Sequence, residues 1–204
     1  MIASQAEFPT DLEAALKNGC KAAETEFMKR NLVSVKDRSG SCAVVLLVTP
    51  SHVYCANVGD SRAIMSQNFG NTRTSISRDH KPSEPSEQKR IIAGGGKVYQ
   101  SNAMAQGNVR VPTLIGPMRV MPGRLSVSRT FGDCIAKMEK YGGNPKCIVA
   151  DPEIFSVKIT DDLDYVLIGS DGIFDRISTI DSCGIVQNEV QRLTENMRAT
   201  PNLV

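Results

Sequence analysis

The chain has 204 residues, 41% of them hydrophobic and 23% charged, and its 24 Lys and Arg against 22 Asp and Glu leave a formal net charge of +2. That length fits one domain, or at most one and a half, and with neither sign of charge dominant it argues against a nucleic-acid coat or an acidic interaction tail. The longest apolar run, Cys42 to Val48, is far too short to span a bilayer and the first residues do not resemble a signal peptide, so the expectation is a soluble chain of the cytoplasm or nucleus.

Taken in order, Thr10-Asp11-Leu12-Glu13 reads as a capping box, with Thr10 as the cap and Glu13 reaching back. Leu12, Leu16, Cys20, Ala23 and Phe27 then recur at helical spacing, which predicts a helix to about Arg30. After Ser39-Gly40-Ser41, the β-rich runs Cys42 to Thr49 and His52 to Val58 flank Pro50-Ser51 as a hairpin, and Arg62 to Gln67 is a third strand. Ser83 or Ser86 can cap a short helix through Ala93, and Gly94-Gly95-Gly96 ends it. Lys97 to Tyr99 is a short strand, residues 100–118 read as a loop, Arg124 to Val127 as weakly extended, and 137–146 as an exposed loop. Glu153 to Ile159 alternates as a strand, and Tyr165 to Gly169 is a short buried one. Ile180, Cys183, Val186, Val190 and Leu193 mark a last amphipathic helix over 180–195. The early strands are too close together for crossovers, so the pattern favours mostly antiparallel sheets with helices outside them.

Several chemistries are excluded by spacing. The six cysteines contain no C-x-x-C pair, which removes finger-type zinc sites, and with no secretion signal a disulfide framework is not expected. No cysteine has arginine six positions on, as a C-x-x-x-x-x-R phosphate loop would need. Gly59-Asp60-Ser61-Arg62-Ala63 lacks the last glycine of a G-x-S-x-G elbow and leads into a strand instead of a helix. Lys97 is followed by Val98, where a Walker loop requires Ser or Thr.

Two aspartates remain. Asp60 follows the strand ending Asn57-Val58-Gly59, and Asp171 follows the one ending Leu167-Ile168-Gly169-Ser170. A carboxylate held at a strand end beside glycine suits Mg²⁺ or Mn²⁺, which take one or two carboxylates and keep several waters. These blocks do not stand alone. Asn57 to Ala63, Asp79-His80-Lys81-Pro82, Arg90-Ile91-Ile92-Ala93-Gly94-Gly95, Leu125 to Asp133, Asp151-Pro152-Glu153-Ile154 and Gly169 to Asp175 together resemble, in order, the PP2C family of metal-dependent protein serine/threonine phosphatases.

The resemblance implies an α+β fold, a PP2C-like β-sandwich of two mostly antiparallel sheets flanked by helices. It implies two Mg²⁺ or Mn²⁺ ions, and a weaker third, activating water against phosphoserine or phosphothreonine with no phosphoenzyme. It matches Asp171 to a metal aspartate and Asp60 to its companion at the third ion. It places a substrate-influencing flap at about 134–147 and gives Arg129, Asp133 and Asp175 structural positions. Its partners would be phosphorylated proteins, with no nucleic acid or membrane, and the chain a monomer. The family's Asp-Gly-His-Gly-like block ahead of the first helix and its late Asp-Asn block before a last strand have no counterpart here; Glu195-Asn196-Met197 reads as a helix end. The expectation is therefore a single partial domain over 1–204, truncated at both ends, with no catalytic residue assigned and little activity of its own. The alternative is a non-catalytic phosphoprotein-binding or decoy module.

Overall fold

A computed structural model describes residues 1–33, 38–103 and 114–199. Helix α1 (Leu12–Val33) is followed by β1 (Gly40–Ser41), β2 (Ala43–Val48), β3 (His52–Val58), β4 (Arg62–Gln67) and β5 (Thr72–Ser75). Then come α2 (Pro85–Ala93), β6 (Lys97–Ala103), β7 (Leu114–Met121), β8 (Phe131–Gly132) and α3 (Cys134–Lys137). After a 3₁₀ turn at Glu139–Tyr141, the described chain finishes with β9 (Glu153–Lys158), β10 (Leu163–Gly169), α4 (Asp171–Phe174) and α5 (Thr179–Ala199).

Two three-stranded antiparallel sheets form the centre, one in the order β2-β3-β9 and the other β10-β4-β5. Alternate residues of their strands meet between the layers, as a period of two requires. Val53 and Cys55 of β3 and Ala63 and Met65 of β4 are buried there with Ile76, and Val44, Leu46, Val157 and Val166 pack around them. The intervening residue Ile64 points to the other side of its sheet, where it joins Leu167, Phe174 of α4 and Cys183 of α5. Against the first sheet lies α1, which buries Ala15, Leu16 and Cys20 and contacts β3 and β8. The helix–sheet–sheet–helix layering implied by the sequence is thus present.

Local departures have identifiable causes. The cap of α1 is Asp11, not Thr10: Asp11 Oδ1 accepts the Ala14 N–H at 3.0 Å, while the Thr10 hydroxyl donates to the Glu7 carbonyl. Neither Ser83 nor Ser86 caps α2; Glu84 holds that position without a side-chain bond, and Pro85 opens the helix. Residues 100–118 are not a loop throughout, because β6 runs on to Ala103 and pairs with β7; residues 104–113 lie outside the described part. Gly116 and Pro117 interrupt the apolar run of β7 and hid the strand, and the hairpin packs over Ile91, Ala136, Cys147 and Ile148. Arg124 to Val127 forms no strand, and helical turns occupy Cys134–Lys137, at the start of the expected flap, and Glu139–Tyr141, within the loop expected at 137–146. Helix α5 reaches Ala199 and takes in Glu195-Asn196-Met197, but Val190 and Leu193 of its predicted apolar face are exposed.

Below the sandwich, a buried ionic cluster ties α2 to the chain leading into β8. Glu87, 2% exposed, accepts Arg129 Nη2 at 2.6 Å, Arg90 Nη2 at 2.7 Å and the Ser128 hydroxyl at 2.6 Å. The two guanidiniums continue outward, Arg129 to the Asp151 carbonyl and Arg90 to the Lys146, Cys147 and Ser128 carbonyls. Those three side-chain bonds hold the Glu87 carboxyl well below the usual carboxylate range in spite of its burial. Removing one member of such a group leaves buried charge uncompensated. Glu87→Ala is therefore expected to lower the unfolding free energy by about 3–5 kcal/mol, read as a fall in the urea midpoint with an unchanged slope.

Candidate metal centre

Asp60 sits in the turn from β3 to β4, and that turn is clamped from several sides. Gly59 has φ +113°, and a Cβ there would collide with Cys42, so glycine is required on both counts. The Gly59 N–H donates to His80 Nδ1 at 3.1 Å, and its carbonyl accepts the His80 N–H at 2.9 Å and Asn57 Nδ2 at 3.0 Å. Asn57 Nδ2 also reaches the Arg78 carbonyl at 2.8 Å, which joins the 57–62 and 78–82 segments.

Asp171 arrives from the opposite direction, at the first position of α4 directly after β10. The antiparallel register pairs Arg62 with Gly169. Asp60 precedes that pair by as many residues as Asp171 follows it, so both carboxylates emerge at the same end of the sheet. Arg62 reinforces the arrangement. Its guanidinium forks onto Asp79, with Nε at 2.7 Å from Oδ1 and Nη2 at 2.9 Å from Oδ2, and lies 5.3 Å from the centre of the Phe174 ring.

The result is a cleft of about 340 Å³ lined by Asp60, Asp171 and Asp175, with Lys81, Ser83 and Ser126, and Pro117 and Met118 from β7. Asp60 is nearly buried and Asp171 open to solvent. Burial, followed by the charge of Asp171, raises the Asp60 carboxyl above its ordinary range, while the Cys42 thiol and Lys81 act against that rise. Burial pushes the neighbouring Cys42 thiol up to about 11.

The two aspartates singled out in the sequence are brought together. Asp175, given only a structural position by the resemblance, lines the same cleft, whereas Arg129 and Asp133 do not. Among the described residues, none of the 134–147 segment lines it either; the hairpin residues Pro117 and Met118 stand there, and Lys137, Met138 and Pro145 line a different cavity beside α1. Lys81, His80 and Glu87 went unassigned in the sequence, although Asp79-His80-Lys81-Pro82 was a visible block.

Would these residues suit a divalent ion? Two like charges share a cleft, one raising the protonation of the other, and a dication would relieve that repulsion. Among the described residues no group of three or more His, Cys, Asp or Glu is arranged to hold a metal. Among the described residues, the two carboxylates of Asp60 and Asp171 would suit one largely hydrated Mg²⁺ or Mn²⁺ and do not make a closed two-ion cage.

Comparison with known proteins adds an independent finding. A family model described as Protein phosphatase 2C matches residues 1–204. The chain is 32% identical over 183 residues to a rice protein (Oryza sativa subsp. japonica) named "Probable protein phosphatase 2C 52", covering 90% of this chain and 32% of that one. It is 31% identical over 181 residues to "Probable protein phosphatase 2C 59" of Arabidopsis thaliana, covering 89% of this chain and 50% of the relative. The chain thus spans a third to a half of the length of these curated relatives. In fold it is similar to a crystal structure of serine-threonine phosphatase 2C from Toxoplasma gondii, with a TM-score of 0.72 at 23% identity over 91% of this chain and 58% of that one. It is also similar to a C. elegans sex determining protein, again with a TM-score of 0.72, at 22% identity over 91% of this chain and 40% of that one.

The His80 clamp beneath Asp60 has a consequence in acid. Since Nδ1 accepts the Gly59 N–H, the ring proton resides on Nε2, which faces Glu153 Oε2 at 3.5 Å. Burial, and then the charge of Arg129, push the imidazole from 6.5 down to about 4. The unfolded chain therefore takes up this proton first, so its contribution is complete above pH 6.5 and drains away as the pH falls toward 4. Urea midpoints should decline between pH 6.5 and 5, with a slope from this group of at most about 1.4 kcal/mol per pH unit. In His80→Asn, whose carbonyl can still accept from Gly59, that decline should flatten; an unaltered slope would contradict the assignment.

Proposed function

The chain belongs to the protein phosphatase 2C family, and from that membership we propose that Asp60 and Asp171 are carboxylate ligands in the divalent-metal centre of a protein serine/threonine phosphatase. The observation that carries this reading is the convergence of the two strand-end aspartates in one cleft through the Arg62–Gly169 register. Its substrates would be phosphoserine and phosphothreonine in phosphorylated proteins.

A bound Mg²⁺ or Mn²⁺ supplies charge neutralisation at phosphoryl oxygens and a lowered pKa for water. The protein's part is placement. The Gly59 clamp fixes the direction of Asp60, so a ligand at the sheet end loses little conformational freedom on binding. Phe174, held under the Arg62 guanidinium, anchors the short helix that carries Asp171. Ser83 and Ser126 bring hydroxyls to the cleft that can donate to phosphate oxygens. Pro117 and Met118 cover one side with apolar surface and limit the water that competes for those donors.

Two carboxylates imply weak retention of the ion. Calorimetric titration of the 204-residue chain with Mn²⁺ should show a single event in the roughly 0.1–1 mM range, and Asp171→Asn should abolish it. Hydrolysis of p-nitrophenyl phosphate by these residues alone should stay near background. Two tight binding events, or robust turnover lost in Asp171→Ala, would overturn this reading by requiring further ligands within the chain.

A further inference from the structure

Lys81 has a place in the cleft that metal ligation does not explain. It is the one cation lining the cleft among the described residues, against three carboxylates, Asp60, Asp171 and Asp175. Its ammonium lies 3.6 Å from Asp175 Oδ1 and 3.4 Å from Asp79 Oδ2, and the side chain is about two-thirds shielded from solvent. Asp79 is already engaged by both arms of the Arg62 fork. Lys81 thus bridges Asp79, the nearer carboxylate, and Asp175 in the cleft. Pro82, fixed in the backbone directly after Lys81, limits how far the segment can swing away.

We propose that Lys81 is a built-in counter-ion of this cleft, which competes with the divalent cation and sets its affinity low. The inference rests on the metal-site reading of Asp60 and Asp171 and adds a residue that opposes binding. The physical reason is charge. Without an ion, Lys81 offsets part of the mutual repulsion of the three aspartates that line the cleft with it. A dication entering the cleft must do so against the ammonium and must draw Asp175 away from it. In a solvated cleft, repulsion between unlike-sized cations a few ångströms apart amounts to about a three- to tenfold change in affinity. A Lys is suited to this use because its ammonium is a compact charge on a flexible stem, able to leave without breaking a bidentate fork. Ion loading and movement of Lys81 out of the cleft are then one event.

The test is a Mn²⁺ titration followed by electron paramagnetic resonance, which counts free ion directly, on the unsubstituted chain, Lys81→Met, Lys81→Gln and Lys81→Arg. Met and Gln should each bind Mn²⁺ about three- to tenfold more tightly, and Arg should stay within about twofold of the original. Melting temperatures without metal show whether each variant folds, and Gln serves where Met does not. Binding by Met and Gln that equals or falls below the original overturns the counter-ion role while leaving the metal site standing. Binding by the variants but not by the unsubstituted chain supports it in its strongest form. Absence of binding in every chain overturns the metal reading, and the inference with it.

Discussion

Arg62 joins three stretches of chain that are distant in sequence. Its backbone pairs with Gly169 across the β4–β10 ladder, its guanidinium forks onto Asp79, and its π-face covers Phe174. The first contact sets the register that delivers Asp60 and Asp171 to one end of the sheet. The second holds the 78–82 segment, and so the His80 clamp and Lys81, against the same end. The third seats the helical turn that begins with Asp171. A lysine could supply the charge but not the fork and the stacked plane together, so a nominally conservative exchange would loosen all three.

Polar burial among the described residues is concentrated behind the cleft and is extensively hydrogen-bonded, although Asn57 Oδ1, His80 Nε2 and Arg90 Nε have no hydrogen-bond partner there. His80 carries two opposed bonds with the Gly59 backbone, and its carbonyl accepts the Ser128 N–H. Ser128 also donates to Glu87, which gathers Arg90 and Arg129. A continuous chain of bonds therefore runs from the turn bearing Asp60, through Ser128, to α2 and the Asp151 carbonyl. An apolar core could give comparable stability, but a hydrogen-bonded one fixes relative positions more tightly, and a ligand site needs position. In contrast, Asp60 and Asp171 are left partly opposed to one another in the cleft, the charge of the second adding to the burial that raises the carboxyl of the first.

Much of this could be read from the sequence because the governing signals are local. The β-rich runs His52 to Val58 and Arg62 to Gln67 coincide with β3 and β4, and the two strand-end aspartates were identifiable by their glycine neighbours. What escaped was set by tertiary contact. β5 is exposed along its whole length and carries no apolar alternation; it exists because β4 offers it a ladder. Of the β6–β7 hairpin only Lys97 to Tyr99 was legible, because Gly116 and Pro117 break the apolar run of β7 and read as loop punctuation. Asp11 displaced Thr10 as the helix cap because the Thr10 hydroxyl had a nearer acceptor in Glu7. Lys81 and Asp175 belong to the cleft only through the fold, since one lies on a connecting segment and the other at the end of a four-residue helix.

We have proposed that the Arg62–Gly169 register brings Asp60 and Asp171 to one divalent ion. Diffraction from crystals grown with Mn²⁺, recorded where manganese scatters anomalously, tests it most directly. An anomalous peak is expected between these two carboxylates, within about 2–2.5 Å of an oxygen of one or both, with Lys81 withdrawn from Asp175. A peak elsewhere on the molecule, or ordered Asp60 and Asp171 carboxylates turned apart with no ion between them at saturating Mn²⁺, would contradict it.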